Sequence, residues 1–417
     1  MSDPRRPRHH LTPTSGWIND PYGVVHVDGR YLLFCQYDPE RVRWTPPLSW
    51  GVAESTDLVH WSPLRTALRP ASAADGCWSG TAVIEDGRPV LLYTRVDATP
   101  GRHDIGQIVL AHPAGDDWVS EAEPVIPGPP DGLDVRHFRD PHLTRTADGW
   151  RMVVGAGLAP ATGAVLGYRS PDLRRWEFTG VVCSRPMDAP GPVWTGSVWE
   201  CPQLLELAGR WVLIVSVAHE RTEHVVAATG SFDGATFRPG EFHRLAHGAA
   251  PYATTTFLDA DGRRCALSWL REPEPATGDW AGALSLPAVL ELAGDRVVAR
   301  PHPVVDSLRG EPTHTIGPYA DLVLRATDHA DLELGPLSLI ADAACDQLRL
   351  IQPSRPEQAM PLGATPDGSF EVRVILDGSV AEVYTPAGLA GLRIDPVPSA
   401  RLAVPTGVEV TCHPLTG

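Results

Sequence analysis

The sequence predicts an all-β protein, a five-bladed β-propeller followed by a C-terminal β-sandwich. Two observations lead to this prediction, an internal repeat in the first 300 residues and a different strand pattern after it. The composition, with 43% hydrophobic and 21% charged residues, is ordinary for a folded protein. The 42 prolines and 39 glycines interrupt the chain too often for long helices.

The repeat consists of five segments, each with a short apolar stretch, a glycine-containing turn and a second apolar stretch, which is typical of a β-hairpin. The turn glycines are Gly29, Gly87, Gly149, Gly209 and Gly262. Their spacings of 58, 62, 60 and 53 residues give a period near sixty. Such a period, with about four short strands, matches one propeller blade, and sustained helical periodicity is missing.

The predicted domains are a propeller over residues 1–305 and a sandwich over residues 312–417. After about residue 311, strand-like segments continue without the blade period, which favours two packed antiparallel sheets. The boundary falls near residues 301–312, a polar and proline-rich segment in which we expect a short helix.

Charge and cysteine content limit the partners and the location. With 35 Lys+Arg against 51 Asp+Glu, the net charge is −16, so nucleic acids and anionic membranes are not expected as partners. Seven cysteines without a CxxC pair indicate reduced thiols rather than a zinc site or a disulfide framework. No apolar segment follows the N-terminal arginines, and no run of 18 apolar residues exists. We therefore expect a cytoplasmic protein.

Three carboxylates lie at equivalent places in the repeat, and they are the candidate catalytic residues. Asp20, Asp140 and Glu200 each precede a turn glycine by nine residues, and each is followed by a proline within two residues. A single Asp-Pro pair would indicate only a turn, whereas three in register favour a site. Equivalent strand starts in blades 1, 3 and 4 predict that the three acids converge at one mouth of the central channel.

Carboxylates that share a site cannot all ionise normally, so their pKa values are pushed apart. This difference in pKa lets one carboxylate act as acid, another as base and another as nucleophile. Two carboxyl groups around a glycosidic bond are the usual apparatus of glycoside hydrolysis. We expect Arg139 to keep Asp140 ionised, because it is a fixed neighbouring cation. Glu200, between Trp199 and Cys201, has the least polar sequence neighbours and is the expected proton donor.

Aromatic and neutral polar residues near the first strand of each blade favour a small-molecule carbohydrate as the partner. They are Trp17, Trp44, Trp78, Trp199, Trp269, Asn19, Gln36 and Ser79. About half of the tryptophans are expected to pack between blades instead. The histidines near the motifs, His9, His10, His137 and His142, form no helix-spaced metal pair, and neither a metal nor a cofactor is predicted.

Ordered motifs add a family resemblance. The chain resembles glycoside hydrolase family 32, the β-fructofuranosidases, in segments 10–23, 50–61, 78–80, 138–141, 200–202, 280–287 and 377–384. This resemblance implies a retaining, metal-free hydrolase that cleaves terminal β-fructofuranosyl linkages through a covalent fructosyl-enzyme intermediate. The implied substrates are sucrose, sucrose phosphate and short fructo-oligosaccharides.

The resemblance also implies residue roles. Asp20 is the expected nucleophile, Glu200 the general acid/base and Asp140 the transition-state stabiliser. Cys201 is expected to adjust the acid/base. The residues expected to line the fructosyl pocket are Asn19, Gln36, Trp44, Trp78, Ser79, Arg139 and Trp269.

The chain departs from the family pattern at three positions, Tyr22 where Asn is usual, Val52 where His is common and Ala250 where Asp is usual. We expect the change at Ala250 to remove a contact to a substrate hydroxyl. Three alternatives to hydrolysis of fructosides stay open, namely fructosyl transfer, carbohydrate binding without catalysis, and a furanosidase for arabinose- or xylose-containing glycans. If the substrate carries a phosphate, the candidate ligands are Arg41, Arg43 and Arg136.

Overall fold

The computed structural model describes residues 3–272, 278–353, 355–365 and 367–416, and nearly all of its regular structure is β. Blades 1 and 2 are antiparallel sheets of strands that follow one another in the chain. Their strands are β1 (Gly16–Val27), β2 (Arg30–Asp38), β3 (Ser49–Ser55), β4 (Arg65–Leu68), β5 (Asp75–Glu85), β6 (Arg88–Asp97), β7 (Gln107–Ala114) and β8 (Asp117–Ser120).

Blades 3 and 4 repeat this order. Their strands are β9 (Val135–Thr146), β10 (Gly149–Leu158), β11 (Thr162–Ser170), β12 (Glu177–Pro186), β13 (Val198–Leu207), β14 (Arg210–Ala218), β15 (Thr222–Phe232), β16 (Phe237–Pro239) and β17 (His243–Arg244).

The next segments complete the ring. They are β18 (Ala246–His247), β19 (Pro251–Leu258), β20 (Arg264–Leu270), β21 (Trp280–Ala281), β22 (Ala283–Leu284), β23 (Ala288–Ala293) and β24 (Arg296–Pro301). Blade 5 has the order β19-β20-β23-β24, with β22 paired to β20. Strand β21 pairs with β1 in parallel, so the chain returns from blade 5 to blade 1 and helps to close the ring.

The innermost strands β1, β5, β9, β13 and β19 contact one another in a closed cycle around the axis. Each is joined to the next strand of its blade by a hairpin at one of the five predicted turn glycines, and Gly29, Gly87, Gly209 and Gly262 have φ between 75° and 81°. Apolar side chains fill the spaces between adjacent blades. The predicted fold class is therefore confirmed, and every blade directs the start of its inner strand toward the same mouth.

After blade 5, a short 3₁₀ helix (Pro303–Leu308) lies in the segment where a short helix was expected, and the remaining strands follow it. These are β25 (Thr315–Ile316), β26 (Tyr319–Ala326), β27 (His329–Leu334), β28 (Leu337–Asp342), β29 (Gln347–Ile351), β30 (Gln358–Pro361), β31 (Phe370–Asp377), β32 (Val380–Thr385), β33 (Gly388–Arg393), β34 (Ala400–Arg401) and β35 (Glu409–Pro414).

Two sheets of these strands form the sandwich, β18-β33-β32-β31-β26-β35 and β27-β28-β29-β30. Leucine and valine side chains of both sheets form one apolar core between them. The propeller strand β18 extends the larger sheet at its edge by pairing with β33. The division of the chain into two domains at residues 305 and 312 stays a prediction.

The N-terminal segment joins the propeller to the sandwich through a buried charged cluster. His10 Nδ1 lies 2.8 Å from Asp377 Oδ2, and His10 Nε2 lies 3.4 Å from Glu382 Oε1. All three side chains are fully buried. The two carboxylates raise the pKa of His10 to about 9, against the opposing effect of burial. No helix in the described ranges is long and apolar enough to span a membrane.

Candidate active site

All five innermost strands carry a β-bulge at the end that faces the mouth of the channel. At each bulge, the register with the neighbouring strand shifts between two positions of the inner strand. These positions are Ile18 and Pro21, Trp78 and Gly80, Arg139 and His142, Glu200 and Gln203, and Tyr252 and Thr255. A bulge bends its strand and redirects side chains, and such sites are frequent next to active sites. The bulges therefore explain why acids at one repeat position turn toward the axis.

Three non-glycine residues at these bulges have left-handed backbone conformations. Asp140 has φ of 64°, Cys201 has φ of 46° and Ala253 has φ of 48°. This conformation is costly for a residue with a Cβ atom, and it clusters where function requires it. The structure thus places backbone strain at the level of the three candidate carboxylates.

Asp20 is held by neutral hydrogen-bond donors. Asn19 Nδ2 donates to Oδ1 at 3.0 Å, and Ser79 Oγ donates to Oδ2 at 2.9 Å. Burial raises the pKa of Asp20, the charge of Glu200 raises it further, and the two donors oppose the rise. The side chain is therefore fixed in direction without being neutralised by a cation, which suits a carboxylate that has to attack.

A short hydrogen-bonded chain fixes Asn19. Trp17 Nε1 donates to Asn19 Oδ1 at 2.7 Å, and Asn19 Nδ2 also donates to Gln36 Oε1. Asn19 and Gln36 are buried, and they lie on the neighbouring strands β1 and β2 of blade 1. The structure thus brings Asn19, Gln36 and Ser79 together with Asp20, as the sequence predicts.

Glu200 lies in a polar environment, which corrects the expectation drawn from its sequence neighbours. Arg139 Nε and Nη2 donate to Glu200 Oε1 at 3.0 and 2.8 Å, and the hydroxyl of Tyr252 donates to Oε2. The Trp199 side chain is fully buried among apolar residues of blades 3 and 4. Adjacent residues on a strand point to opposite faces, so Trp199 faces the core while Glu200 faces the channel.

Asp140 is the most deeply buried of the three acids, with 4% of the residue exposed. Its Oδ2 accepts the backbone N–H of Cys201 at 3.0 Å, and its Oδ1 has no hydrogen-bond partner among the described residues. Burial raises the pKa of Asp140 to about 7, Glu200 and Asp20 add to the rise, and Arg139 only partly opposes it. The expectation that Arg139 keeps Asp140 ionised was wrong, because the guanidinium bonds to Glu200 instead.

Cys201 lies between two of the acids. Its Sγ is 3.8 Å from Asp20 Oδ2 and 3.7 Å from Asp140 Oδ2. Burial and the surrounding carboxylates raise the pKa of this thiol well above its usual value, so it stays protonated and is a weak donor. The thiol therefore contacts the other two acids, whereas the resemblance placed it beside the acid/base.

The predicted pocket tryptophans divide between the rim and the wall. Trp44 is 41% exposed and meets the ring of Trp78 edge-on at 5.7 Å. Trp269 is buried, lies opposite Tyr252 in blade 5 and contacts Trp17 edge-on at 5.6 Å. The indole nitrogens of Trp78 and Trp269 have no partner in the described part of the chain.

Two tyrosines complete the site, and sequence reasoning did not assign them a role. Tyr252 bonds to Glu200, and the hydroxyl of Tyr22 lies 2.8 Å from Ser79 Oγ, which in turn donates to Asp20. Tyr22 is itself one of the three departures from the family pattern. The signal that could have found Tyr252 is its place ten residues before Gly262, next to the position equivalent to the three acids.

The other two departures lie in the core. Val52 is buried among apolar residues between blades 1 and 2. Ala250 is buried with Leu270, Ala283 and Val380. The Ala250 side chain thus packs against the core, and the effect of this departure on substrate binding stays a prediction.

A small cavity adjoins the acids. Its volume is about 10 Å³, and it is lined by Pro21, Tyr22, Ser79, Gly80, Asp140, Pro141, Cys201, Gln203, Thr254 and Thr255. This volume holds at most a single water molecule. A sugar therefore does not fit into this cavity.

One group of side chains among the described residues has the spacing of metal ligands, namely Asp259, Cys265 and His302. Both oxygens of Asp259 are already bonded, Oδ2 to Arg263 and His302 and Oδ1 to backbone N–H groups. His302 Nδ1 accepts the N–H of Val304, so Nε2 carries the proton that it donates to Asp259. This group connects blade 5 to the 3₁₀ helix, and its bonding leaves no free ligand pair.

Comparisons with known proteins agree with this geometry. The sequence model of the glycosyl hydrolases family 32 N-terminal domain matches residues 10–301. The chain is 30% identical to a sucrose-6-phosphate hydrolase of Escherichia coli, over 98% of this chain and 93% of that one. It is 33% identical to the Salmonella typhimurium enzyme of the same name, over 93% and 88% of the two chains.

Solved structures agree as well. A Bombyx mori family 32 β-fructofuranosidase superposes with a TM-score of 0.86 at 26% identity, over 99% of this chain and 94% of that one. A mutant of that enzyme has been solved in complex with sucrose. With the family match over most of the propeller and relatives aligned over nearly the whole chain, the protein belongs to glycoside hydrolase family 32.

Proposed function

We propose that the protein is a retaining β-fructofuranosidase in which Asp20 is the nucleophile, Glu200 the general acid/base and Asp140 the transition-state stabiliser. One observation carries this assignment. The three carboxylates stand at matching bulges of blades 1, 3 and 4, and each has a different environment. Different environments are what allow carboxylates in one site to take different roles.

In the first step, the Asp20 carboxylate attacks the anomeric carbon of the fructosyl group while the bond to the leaving oxygen breaks. Glu200 gives its proton to that oxygen. In the second step, water attacks the same carbon, its proton returns to Glu200, and Asp20 is released. Asn19 and Ser79 keep Asp20 aimed through both steps without a neutralising cation.

Arg139 and Tyr252 support the role of Glu200. Both donate to its carboxylate, so they hold the side chain in one orientation and stabilise the anion left after proton donation. The buried carboxyl of Asp140 lies near enough to share the Cys201 thiol with Asp20. When it is ionised, the Asp140 carboxylate at this place suits the positive charge that develops on the fructosyl ring.

For the substrate, we propose unphosphorylated sucrose and short fructo-oligosaccharides rather than sucrose phosphate. Of the three candidate arginines, Arg41 is bonded to Asp38 and to backbone carbonyls, and Arg136 Nη2 lies 2.9 Å from Asp134 Oδ2. Only Arg43 has no bonded partner in the ranges described. A phosphate is best held by two or more donors such as bidentate arginine, so this rim is poorly equipped for one.

The test is fructose release from sucrose, sucrose 6-phosphate and a fructo-oligosaccharide. Wild type is expected to turn over all fructosides, with a higher kcat/KM for sucrose than for its phosphate. Asp20→Asn and Glu200→Gln are expected to lose nearly all turnover, whereas Glu206→Gln, an exposed glutamate on the same strand as Glu200, keeps it. No fructose from any substrate contradicts the activity, and a preference for the phosphate contradicts the substrate choice.

The same assay decides between hydrolysis and transfer, because transfer yields longer oligosaccharides at high sucrose concentration. We also propose a cytoplasmic location. Its support is that all seven cysteines are free thiols, and six of them are wholly or partly buried. Fractionation of the native host, with the protein detected by an antibody, tests this location.

A further inference from the structure

Arg139 uses its guanidinium in two directions. The Nε and Nη2 edge donates to Glu200, and Nη1 points to the junction of blades 2 and 3. There Nη1 lies 3.3 Å from His137 Nδ1 and 3.5 Å from the backbone carbonyl of Asp104. The side chain of Arg139 is only 10% exposed, so these contacts determine its position.

His137 is itself fixed in place. It lies on β9 two residues before Arg139, so both side chains are on the same face of the strand. Its partner in the pairing with β10 is Gly157, where an added Cβ atom would come within 2.9 Å of His137 Cδ2. The absence of a side chain at Gly157 therefore leaves the space that the imidazole occupies.

A carboxylate, which can only accept a hydrogen bond, lies near the same imidazole nitrogen. Asp104 Oδ1 lies 3.3 Å from His137 Nδ1, and this carboxylate is 49% exposed. A guanidinium only donates hydrogen bonds, so Nδ1 can accept from Arg139 only when it carries no proton. A protonated Nδ1 donates to Asp104 instead and repels Arg139.

We propose that His137 is a positioning residue for the reaction, which in its neutral form holds Arg139 against Glu200 and on protonation turns to Asp104 and releases Arg139. The inference rests on the proposed role of Glu200 as acid/base. It assigns a function to a contact that the proposed mechanism does not use.

The charges around His137 set the direction of the effect. Asp104 faces it from the loop between β6 and β7, Arg139 from its own strand, and Glu200 from β13. The neighbouring Arg136 is paired with Asp134. Burial and Arg139 lower the pKa of His137, the two carboxylates raise it, and the result lies below the ordinary value of 6.5. The neutral form therefore predominates at pH 7, and His137 gains its proton as the pH falls below this value.

The experiment compares kcat, KM and pH profiles for sucrose hydrolysis by wild type, His137→Ala and His137→Asn. The alanine variant removes the acceptor, so kcat is expected to fall about tenfold to a hundredfold, the range for losing a hydrogen bond to a charged group, with KM little changed. The asparagine variant keeps an acceptor oxygen near the position of Nδ1 and cannot titrate. It is expected to keep kcat at pH 7 within about threefold of wild type.

The pH profile separates positioning from a purely structural role. In wild type, His137 gains a proton on the acidic limb in addition to the buried acids Asp20 and Asp140, so log kcat/KM falls more steeply than it would from the two acids alone. In His137→Asn the acidic limb is expected to be less steep than in wild type by one proton. His26→Asn, a change at an exposed histidine of β1, is the matched control and keeps the wild-type profile.

The outcomes distinguish the inference from the proposed function. A wild type without any fructosidase activity overturns both. An active wild type with an unchanged kcat in His137→Ala, or with an equal acidic slope in wild type and a folded His137→Asn, overturns the positioning role alone. Equal loss in the alanine and asparagine variants also overturns it, because an acceptor at this position then has no effect.

Discussion

Replacing Asp140 by asparagine is expected to stabilise the folded protein while abolishing its activity. The change removes a charge but keeps the shape of the side chain and the oxygen that accepts the N–H of Cys201. The new amide group falls where Oδ1 now has no partner among the residues described, so no existing hydrogen bond is lost. The variant isolates the cost of burying this charge.

The magnitude follows from the pKa of Asp140, which burial raises from 3.8 to about 7. Each step of one in pKa corresponds to ~1.4 kcal/mol, so ionising Asp140 in the folded protein costs about 4 kcal/mol more than in the unfolded chain. The folded state holds a proton that the unfolded chain has released, so wild-type stability falls as pH rises from 3.8 through about 7. Relative to wild type, the asparagine variant gains about 1 to 2 kcal/mol at pH 5 and about 4 kcal/mol at pH 8.

Urea unfolding of wild type and Asp140→Asn at pH 5 and pH 8 measures this difference. Glu206→Gln, an exposed acid on β13, is the control and is expected to leave the free energy of unfolding unchanged at both pH values. A variant that is less stable than wild type at pH 8, or a gain that is equal at the two pH values, would refute the view that Asp140 is a buried acid with a raised pKa.

Three further changes have defined outcomes. Ser79→Ala removes a donor from the ionised form of Asp20 and so raises its pKa, which moves the acidic limb of the kcat/KM profile up by about one pH unit; an unmoved limb contradicts this. Tyr252→Phe removes a donor that orients the Glu200 carboxylate, so kcat for sucrose is expected to fall about tenfold with KM little changed, and an unchanged kcat argues against the contact. His10→Gln is expected to cost about 3 kcal/mol of unfolding free energy at pH 6, a loss that shrinks as pH rises through 9, because the protonated imidazole is what its two carboxylate partners stabilise. Chemical denaturation at pH 6 and pH 9.5 measures it, and equal losses at both contradict the assignment.

The repeat carried most of what could be predicted from the sequence. Turn glycines at a regular spacing located the five hairpins, and an equal offset from those glycines located the three acids. This works because equivalent positions in the blades of a propeller lie at the same distance from the axis. An equal number of residues before the turn glycine therefore places each acid at the same distance from the axis. The bulges of the inner strands then direct the side chains of the three acids toward the axis, where they form one site.

What sequence reasoning missed depends on contacts between blades. The pairing of Arg139 with Glu200 rather than Asp140 joins blade 3 to blade 4, and Tyr252 reaches Glu200 from blade 5. A neighbour in sequence was therefore a poor guide to a neighbour in space. The same applies to Ala250, which is next to a site strand but faces the core.

The central claim is that Asp20 forms a covalent bond to the fructosyl group. The direct measurement is peptide mapping by mass spectrometry of Glu200→Gln after rapid quenching with a fructosyl donor whose leaving group needs no protonation, such as fructosyl fluoride. The account predicts a single added fructosyl group on the peptide that contains Asp20, and none in Asp20→Asn. A fructosyl group on another residue, or fructose release from this donor without any labelled peptide, would contradict it.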